Sequence, residues 1–152
     1  METVLIGLGS NVGDRAAHIR FALKEIARLP KTRLVRSSAL HTTRPVGGPQ
    51  QRDFLNAAAV LRTQLSLMAL LIEFKRLEAA RGRKPGRRWG PRPLDCDLLF
   101  YGRRRCRSRF LSIPHPHALR RRFVLAPLAE IAPDFIAPGS RRTITELLKD
   151  LA

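Results

Sequence analysis

The sequence predicts an α+β domain built on one sheet, on three observations. Strand-length runs of aliphatic and β-branched residues are interspersed with two segments of helical periodicity. The 152 residues, 44% of them hydrophobic, suffice for one core, because a chain of this size buries about 68–70% of its unfolded surface without disulfides or a structural metal. No internal repeat, low-complexity tract or interdomain linker divides the chain, so residues 1–152 are expected to form a single domain.

A first strand spans Thr3–Leu8, with Val4 and Ile6 on one face, and ends at the turn formers Gly9-Ser10-Asn11. Ile19, Leu23 and Ile26 recur at helical spacing between Asp14 and Arg28, and Leu29-Pro30 stops the pattern. Thr32–Thr42 reads as a second strand. The Pro and Gly residues of Thr43-Arg44-Pro45-Val46-Gly47-Gly48-Pro49 predict a loop, after which Phe54–Thr63 forms a third strand. In the second helix Ser66 is the cap, Leu67, Leu70, Leu71, Phe74 and Leu77 form the apolar stripe, and Gly82 is the stop. Five basic residues, three prolines and two glycines between Arg83 and Pro93 exclude a regular helix and predict a mobile basic loop at about 83–93. Leu94–Tyr101 is a strand, and Ile113-Pro114-His115-Pro116-His117 is irregular and leads through a short turn to Phe123-Val124-Leu125. Thr143 and Glu146 make a capping box for a closing helix through Leu151.

Charge is the strongest compositional signal. With 29 Lys and Arg against 12 Asp and Glu, the net charge is +17. Arginine dominates, 24 to 5 over lysine, and its planar fork suits bidentate phosphate binding. Residues 81–122 carry +12 of that total and only two acids, Asp95 and Asp97. Nucleic acid and nucleotide phosphate are therefore the first partners to consider. Cys96 and Cys106 are too few for a disulfide framework and are expected to be reduced, small apolar residues. No apolar run approaches the roughly 20 residues of a membrane span, and no signal peptide is expected, which predicts a cytoplasmic protein without membrane contact.

In a strand, Asp95 and Asp97 share a face with their Cα atoms about 6.7 Å apart. That pair suits Mg²⁺, which takes one or two protein carboxylates and completes its shell with water and phosphate oxygens, while Arg83, Arg87, Arg88 and Arg92 could grip the same polyphosphate. Gly7-Leu8-Gly9 lacks the third glycine of a dinucleotide fingerprint, and the chain has no P-loop. Standing alone, Gly9-Ser10-Asn11 is a strand-ending turn.

Taken together, Gly9-Ser10-Asn11, Asp53-Phe54-Leu55-Asn56-Ala57-Ala58 and Arg88-Trp89-Gly90-Pro91-Arg92-Pro93-Leu94-Asp95-Cys96-Asp97-Leu98-Leu99 resemble the 6-hydroxymethyl-7,8-dihydropterin pyrophosphokinases of folate biosynthesis. Pro114-His115-Pro116-His117, Arg121, Phe123-Val124-Leu125, Pro127-Leu128 and Glu130-Ile131-Ala132-Pro133 extend the resemblance over nearly the whole chain. It implies a ferredoxin-like, mostly antiparallel fold and transfer of pyrophosphate from ATP to the pterin's hydroxymethyl oxygen, with release of AMP and two Mg²⁺ ions. By the same resemblance Asp95 and Asp97 would bind the metals, and Arg83 and Arg92 would stabilise the transferring group. The pterin would lie against Phe54 and Phe123, near Thr43, Val46 and Asn56, with Trp89 closing over it. Lys75, Arg88, Leu98, Ser112, His115 and Arg121 would contact ATP. Phe110 stands near a basic ATP contact of some members, with Arg109 or Arg107 as substitutes.

The charge alone allows a second reading, a basic α+β RNA-binding module. Against it stand an aromatic content of 6% and two acids that would repel nucleic-acid phosphate unless a cation neutralises them. The favoured expectation is a monomer acting on ATP and a pterin, without a nucleic-acid partner.

Overall fold

In the computed structural model, which describes residues 1–44, 52–82, 92–115 and 117–151, strand β1 (Glu2–Ser10) forms the middle of an antiparallel sheet. It pairs with β4 (Phe54–Thr63) on one side and β5 (Asp95–Tyr101) on the other. Two shorter strands, β2 (Thr32–Ser37) and β3 (His41–Thr43), both pair with the far edge of β4. Val4, Leu5 and Ile6 are all fully buried, because a central strand covered on both faces needs consecutive apolar residues.

Helices α1 (Arg15–Ala27) and α2 (Leu67–Ala80) cover one face of the sheet. Asp14 and Ser66 cap them, accepting the backbone N–H of Ala17 at 3.0 Å and of Ala69 at 3.1 Å. Ile19, Ala22 and Ile26 from α1 and Leu70, Phe74 and Leu77 from α2 pack on Val4, Ile6, Leu8, Ala57, Leu61, Cys96 and Leu98. The opposite face meets α3 (Arg122–Ile131) and α4 (Ile144–Asp150), where Leu125, Leu128, Ile131 and Ile144 bury Leu5, Val60, Leu99 and Phe100. These two helices reach only part of that face. The rest, where β1 ends and β4 and β5 begin, stays open as a cleft.

The expected α+β, ferredoxin-like class is borne out, as are the first two helices and the capping box of Thr143 and Glu146. Three local readings need correction. The single strand expected over Thr32–Thr42 is divided, since Ser37 to His41 spans four steps while their partners Ala59 to Asn56 span three. Ser38 stays tied to β4, its N–H donating to the Ala58 carbonyl and its Oγ accepting the Ala58 N–H, both at 2.9 Å, so the surplus residue falls between it and His41, where Ala39 and Leu40 are exposed. Second, α3 falls where the sequence suggested only a turn and a short apolar segment. Pro127 lies inside that helix and removes one backbone donor, a cost of about 3 kcal/mol. Burial of Leu125, Leu128 and Ile131 outweighs it at about 1.5–3 kcal/mol per side chain. Third, a hairpin of β6 (Cys106–Arg107) and β7 (Ser112–Ile113) was not anticipated. Among the described residues no helix is long and apolar enough to cross a membrane.

One contact between α1 and the end of α2 is pH-sensitive. Arg81 donates from Nε to His18 Nδ1 at 2.9 Å, and its guanidinium lies 4.6 Å above the Phe21 ring. The imidazole must be neutral to accept this bond. Burial, then the Arg81 charge, hold its pKa below the ordinary 6.5, against the opposing pull of Asp14 and the Val12 carbonyl. The unfolded chain therefore takes up this proton at higher pH than the folded one. The stability is complete above about pH 6.5 and is lost as pH falls through the folded value. Melting curves between pH 8 and 5 are expected to show a larger acid loss for the wild type than for His18→Gln, and parallel curves would contradict the linkage.

Candidate active site

The cleft has a volume of about 970 Å³ and is floored by the sheet. Register builds that floor. Gly9 pairs with Asp95 and Gly7 with Asp97 across β1 and β5, and Gly9 also faces Asn56 across β1 and β4. Strand alternation turns Asp95 and Asp97 into the cleft and buries Cys96 between them on the helix-covered face, as the sequence predicted. The glycines let neighbouring side chains close over the floor: a Cβ at Gly7 would stand 3.3 Å from Leu99, and one at Gly9 3.1 Å from Asn56.

Phe54 and Asn56 from β4, Thr43 from β3 and Phe123 from α3 form one wall. Asn56 is buried at 8% exposure and donates from Nδ2 to Thr43 Oγ1 at 2.6 Å. Arg92 lies beside the acids, its guanidinium 3.4 Å from Asp95 Oδ1. Arg120, Arg121 and Arg122 line the cleft where α3 begins, and the Arg121 guanidinium sits 5.6 Å from the Phe123 ring centre. The site thus sets two carboxylates in a field of arginines, next to a wall of two aromatic rings and a carboxamide. Arginine and a helix start favour an anion, the carboxylates favour a hard cation, and the rings favour a flat heteroaromatic group.

Of the residues singled out in the sequence, Thr43, Phe54, Asn56, Arg92, Asp95, Asp97, Arg121 and Phe123 come together here. Lys75, Leu98, Ser112 and His115 do not line the cleft. Lys75 pairs with Glu78 at 3.5 Å on α2, and Leu98, next to Asp97 and so on the opposite face, is 4% exposed in the core. Ser112 is in β7, and His115 donates its backbone N–H to the Leu99 carbonyl at 3.3 Å. Burial, then Arg121 and His117, lowers the His115 pKa. Phe110 is exposed. Val46, Arg83, Arg88, Trp89 and most of the expected loop at 83–93 lie outside the described residues.

Three supporting groups had no assigned role in the sequence reading. Glu78, 3% exposed, accepts the Cys96 N–H at 2.8 Å and so ties α2 to the strand between the two aspartates. Its signal was an acid directly beside the apolar stripe of α2. Burial, then Glu78 and the two aspartates, pushes the Cys96 thiol well above its usual range, which makes it an unreactive neutral group. His41, in the cleft wall, pairs with Glu130 of α3 at 3.1 Å. Glu130 also accepts the Ala39 N–H, and these bonds hold its carboxyl below the usual range. Asn11, quoted as part of a turn, joins two separate segments of the chain.

Residues 5–133 match the family model for 7,8-dihydro-6-hydroxymethylpterin-pyrophosphokinase (HPPK). The chain is 43% identical over 152 residues to a 2-amino-4-hydroxy-6-hydroxymethyldihydropteridine pyrophosphokinase of Haemophilus influenzae, covering 100% of this chain and 94% of the relative. It is also 43% identical over 151 residues to the protein of that name from Methylorubrum extorquens, covering 99% and 94%. Among solved structures, the fold resembles the HPPK-DHPS protein of Plasmodium falciparum determined with pterin and p-hydroxybenzoate, with a TM-score of 0.78 at 14% identity. That likeness covers 98% of this chain and 41% of the solved one, so the chain spans less than half of that protein.

Proposed function

Since the chain belongs to the 7,8-dihydro-6-hydroxymethylpterin-pyrophosphokinase family, we propose that its cleft joins ATP and 6-hydroxymethyl-7,8-dihydropterin for pyrophosphoryl transfer in folate biosynthesis. The products are the pterin diphosphate and AMP. The observation that carries this reading is the shared face of Asp95 and Asp97 beside Arg92, one strand away from Asn56. The alternative, an RNA-binding module, is not supported, because the relatives matched over the full chain are pyrophosphokinases.

The wall of Phe54, Phe123 and Asn56 suits the pterin. A flat ring packs between aromatic faces, and a carboxamide offers both donor and acceptor to its polar edge. The acids stand in the same cleft, across β1 from this wall. Because AMP leaves and the product is a diphosphate, the hydroxymethyl oxygen bonds to the β-phosphorus of ATP, the bridge to the α-phosphate breaks, and the hydroxyl proton is released. Negative charge shifts onto the departing phosphate, and Arg92 and Arg121 are among the cationic side chains of the cleft that could meet it.

The donor set fits Mg²⁺. Asp95 and Asp97 offer hard oxygen ligands on one face of β5, and Mg²⁺ commonly takes one or two protein carboxylates while retaining water and phosphate ligands. When bound, Mg²⁺ would neutralise phosphate charge. The two residues would hold the ion, and the arginines would hold the anion.

Chromatography of a reaction of the protein with ATP and 6-hydroxymethyl-7,8-dihydropterin, with Mg²⁺ or with chelator, tests the reading. AMP that depends on both pterin and Mg²⁺ is expected; ADP, or no AMP from folded protein, would refute it. The pterin wall has its own test at Gly9, where an added methyl would stand 3.1 Å from Asn56 Oδ1. Asn56 must give by a few tenths of an ångström, which shifts the carboxamide that Thr43 holds, so Gly9→Ala is expected to raise the pterin Kd by about tenfold. Isothermal titration that gives an unchanged pterin affinity would remove Asn56 from the proposed subsite.

A further inference from the structure

Asn11 follows β1 at 1% exposure, yet it is not part of the cleft lining. Its Oδ1 accepts the Arg92 N–H at 2.8 Å, and its own N–H donates to the Arg92 carbonyl at 3.1 Å. Its Nδ2 donates to the Arg52 carbonyl at 3.3 Å. These partners fix the amide orientation, because an N–H requires the oxygen and a carbonyl requires the NH₂. Asparagine meets both needs with one neutral side chain, whereas a buried carboxylate could serve only the first.

The same turn grips residues 52 and 53 twice more. Arg52 donates to the Gly13 carbonyl at 3.0 Å, and Arg15 donates to the Asp53 carbonyl at 2.9 Å. One arm of this arrangement ends at Arg92, whose guanidinium stands beside Asp95. The other leads straight into Phe54 and Asn56 of the pterin wall.

We infer that Asn11 is a positioning residue that sets the phosphate side and the pterin side of the cleft in one register. The inference rests on the reading of Arg92 and Phe54 given above. Asn11 touches no reacting atom; it acts through the backbone of residues 92 and 52. Reacting groups misplaced by about 1 Å lose on the order of 100-fold in rate, so the clamp has a kinetic signature distinct from general stability.

The test compares wild type, Asn11→Ala, Asn11→Asp, Arg92→Ala and the double variant Asn11→Ala/Arg92→Ala in steady-state AMP formation, together with hydrogen exchange of the Arg92 amide. Asn11→Ala is expected to lower kcat by about 10–100-fold and to speed exchange at Arg92. Asn11→Asp keeps the acceptor for Arg92 and loses the donor to Arg52, so it is expected to hold kcat within about threefold while the pterin KM rises. In the Arg92→Ala background Asn11→Ala should add little further loss of kcat. A folded Asn11→Ala with normal kinetics, losses that simply multiply, or a freely exchanging Arg92 amide in the wild type would overturn the inference. If Asn11→Ala does not fold, Asn11→Asp and the wild-type exchange rate decide. Normal turnover in Arg92→Ala would instead refute the role given to that arginine, while amide exchange still reports on the clamp itself.

Discussion

Asp97→Ala is expected to fold with a melting temperature close to that of the wild type and to lose turnover by about 10³-fold. Asp97 is exposed in the middle of β5 opposite Gly7, so removing its carboxylate opens no core cavity. The neighbours that hold the strand, Cys96 and Leu98, point to the other face and are untouched. What disappears is one of the two carboxylates proposed to hold Mg²⁺, in a site where arginines supply the remaining charge. The defect should appear in kcat and in the Mg²⁺ concentration needed for half-maximal rate, and Asp97→Asn should share it because a carboxamide is a weaker ligand for a hard cation. Near-normal AMP formation by a folded Asp97→Ala would remove the residue from the metal site.

How much of this was legible in the sequence depended on whether the signal was local. Alternation along Asp95-Cys96-Asp97 depends only on strand geometry, and the structure keeps it. Ser66 was readable as a cap for the same reason. Helix α3 was hidden by Pro127, a local stop signal overridden by tertiary burial of Leu125 and Leu128. The break after Ser38 was invisible because it arises from register with β4 and from Glu130, 91 residues away, which accepts the Ala39 N–H. Asn11 and Glu78 show the same limit within the site. Each was readable as a residue, but the bond from Arg92 to Asn11 spans 81 positions and the one from Cys96 to Glu78 spans 18. Of the residues the resemblance named, Asp95, Asp97, Phe54 and Phe123 line one cleft, while Leu98 lies on the opposite face of its strand.

Arg92→Ala is the second large effect, and its form matters more than its size. Turnover is expected to fall by about 10²–10³-fold while pterin affinity stays within a few-fold of wild type. The guanidinium is half-buried, close enough to Asp95 to share its electrostatic environment, and its backbone is held by two bonds to Asn11. In the proposed reaction a cation so placed would interact modestly with ground-state phosphates that Mg²⁺ and water would already solvate. It would interact more strongly with the extra charge that develops as the bridge to the α-phosphate breaks, because the group is preorganised and needs no solvent rearrangement. Arg92→Lys should recover part of the rate, since it keeps the charge and loses the planar fork. Calorimetric pterin binding measured beside single-turnover AMP formation separates the two roles: a rate defect with intact binding places Arg92 in the transfer step, and weakened binding with an intact rate would reduce it to a residue of substrate capture.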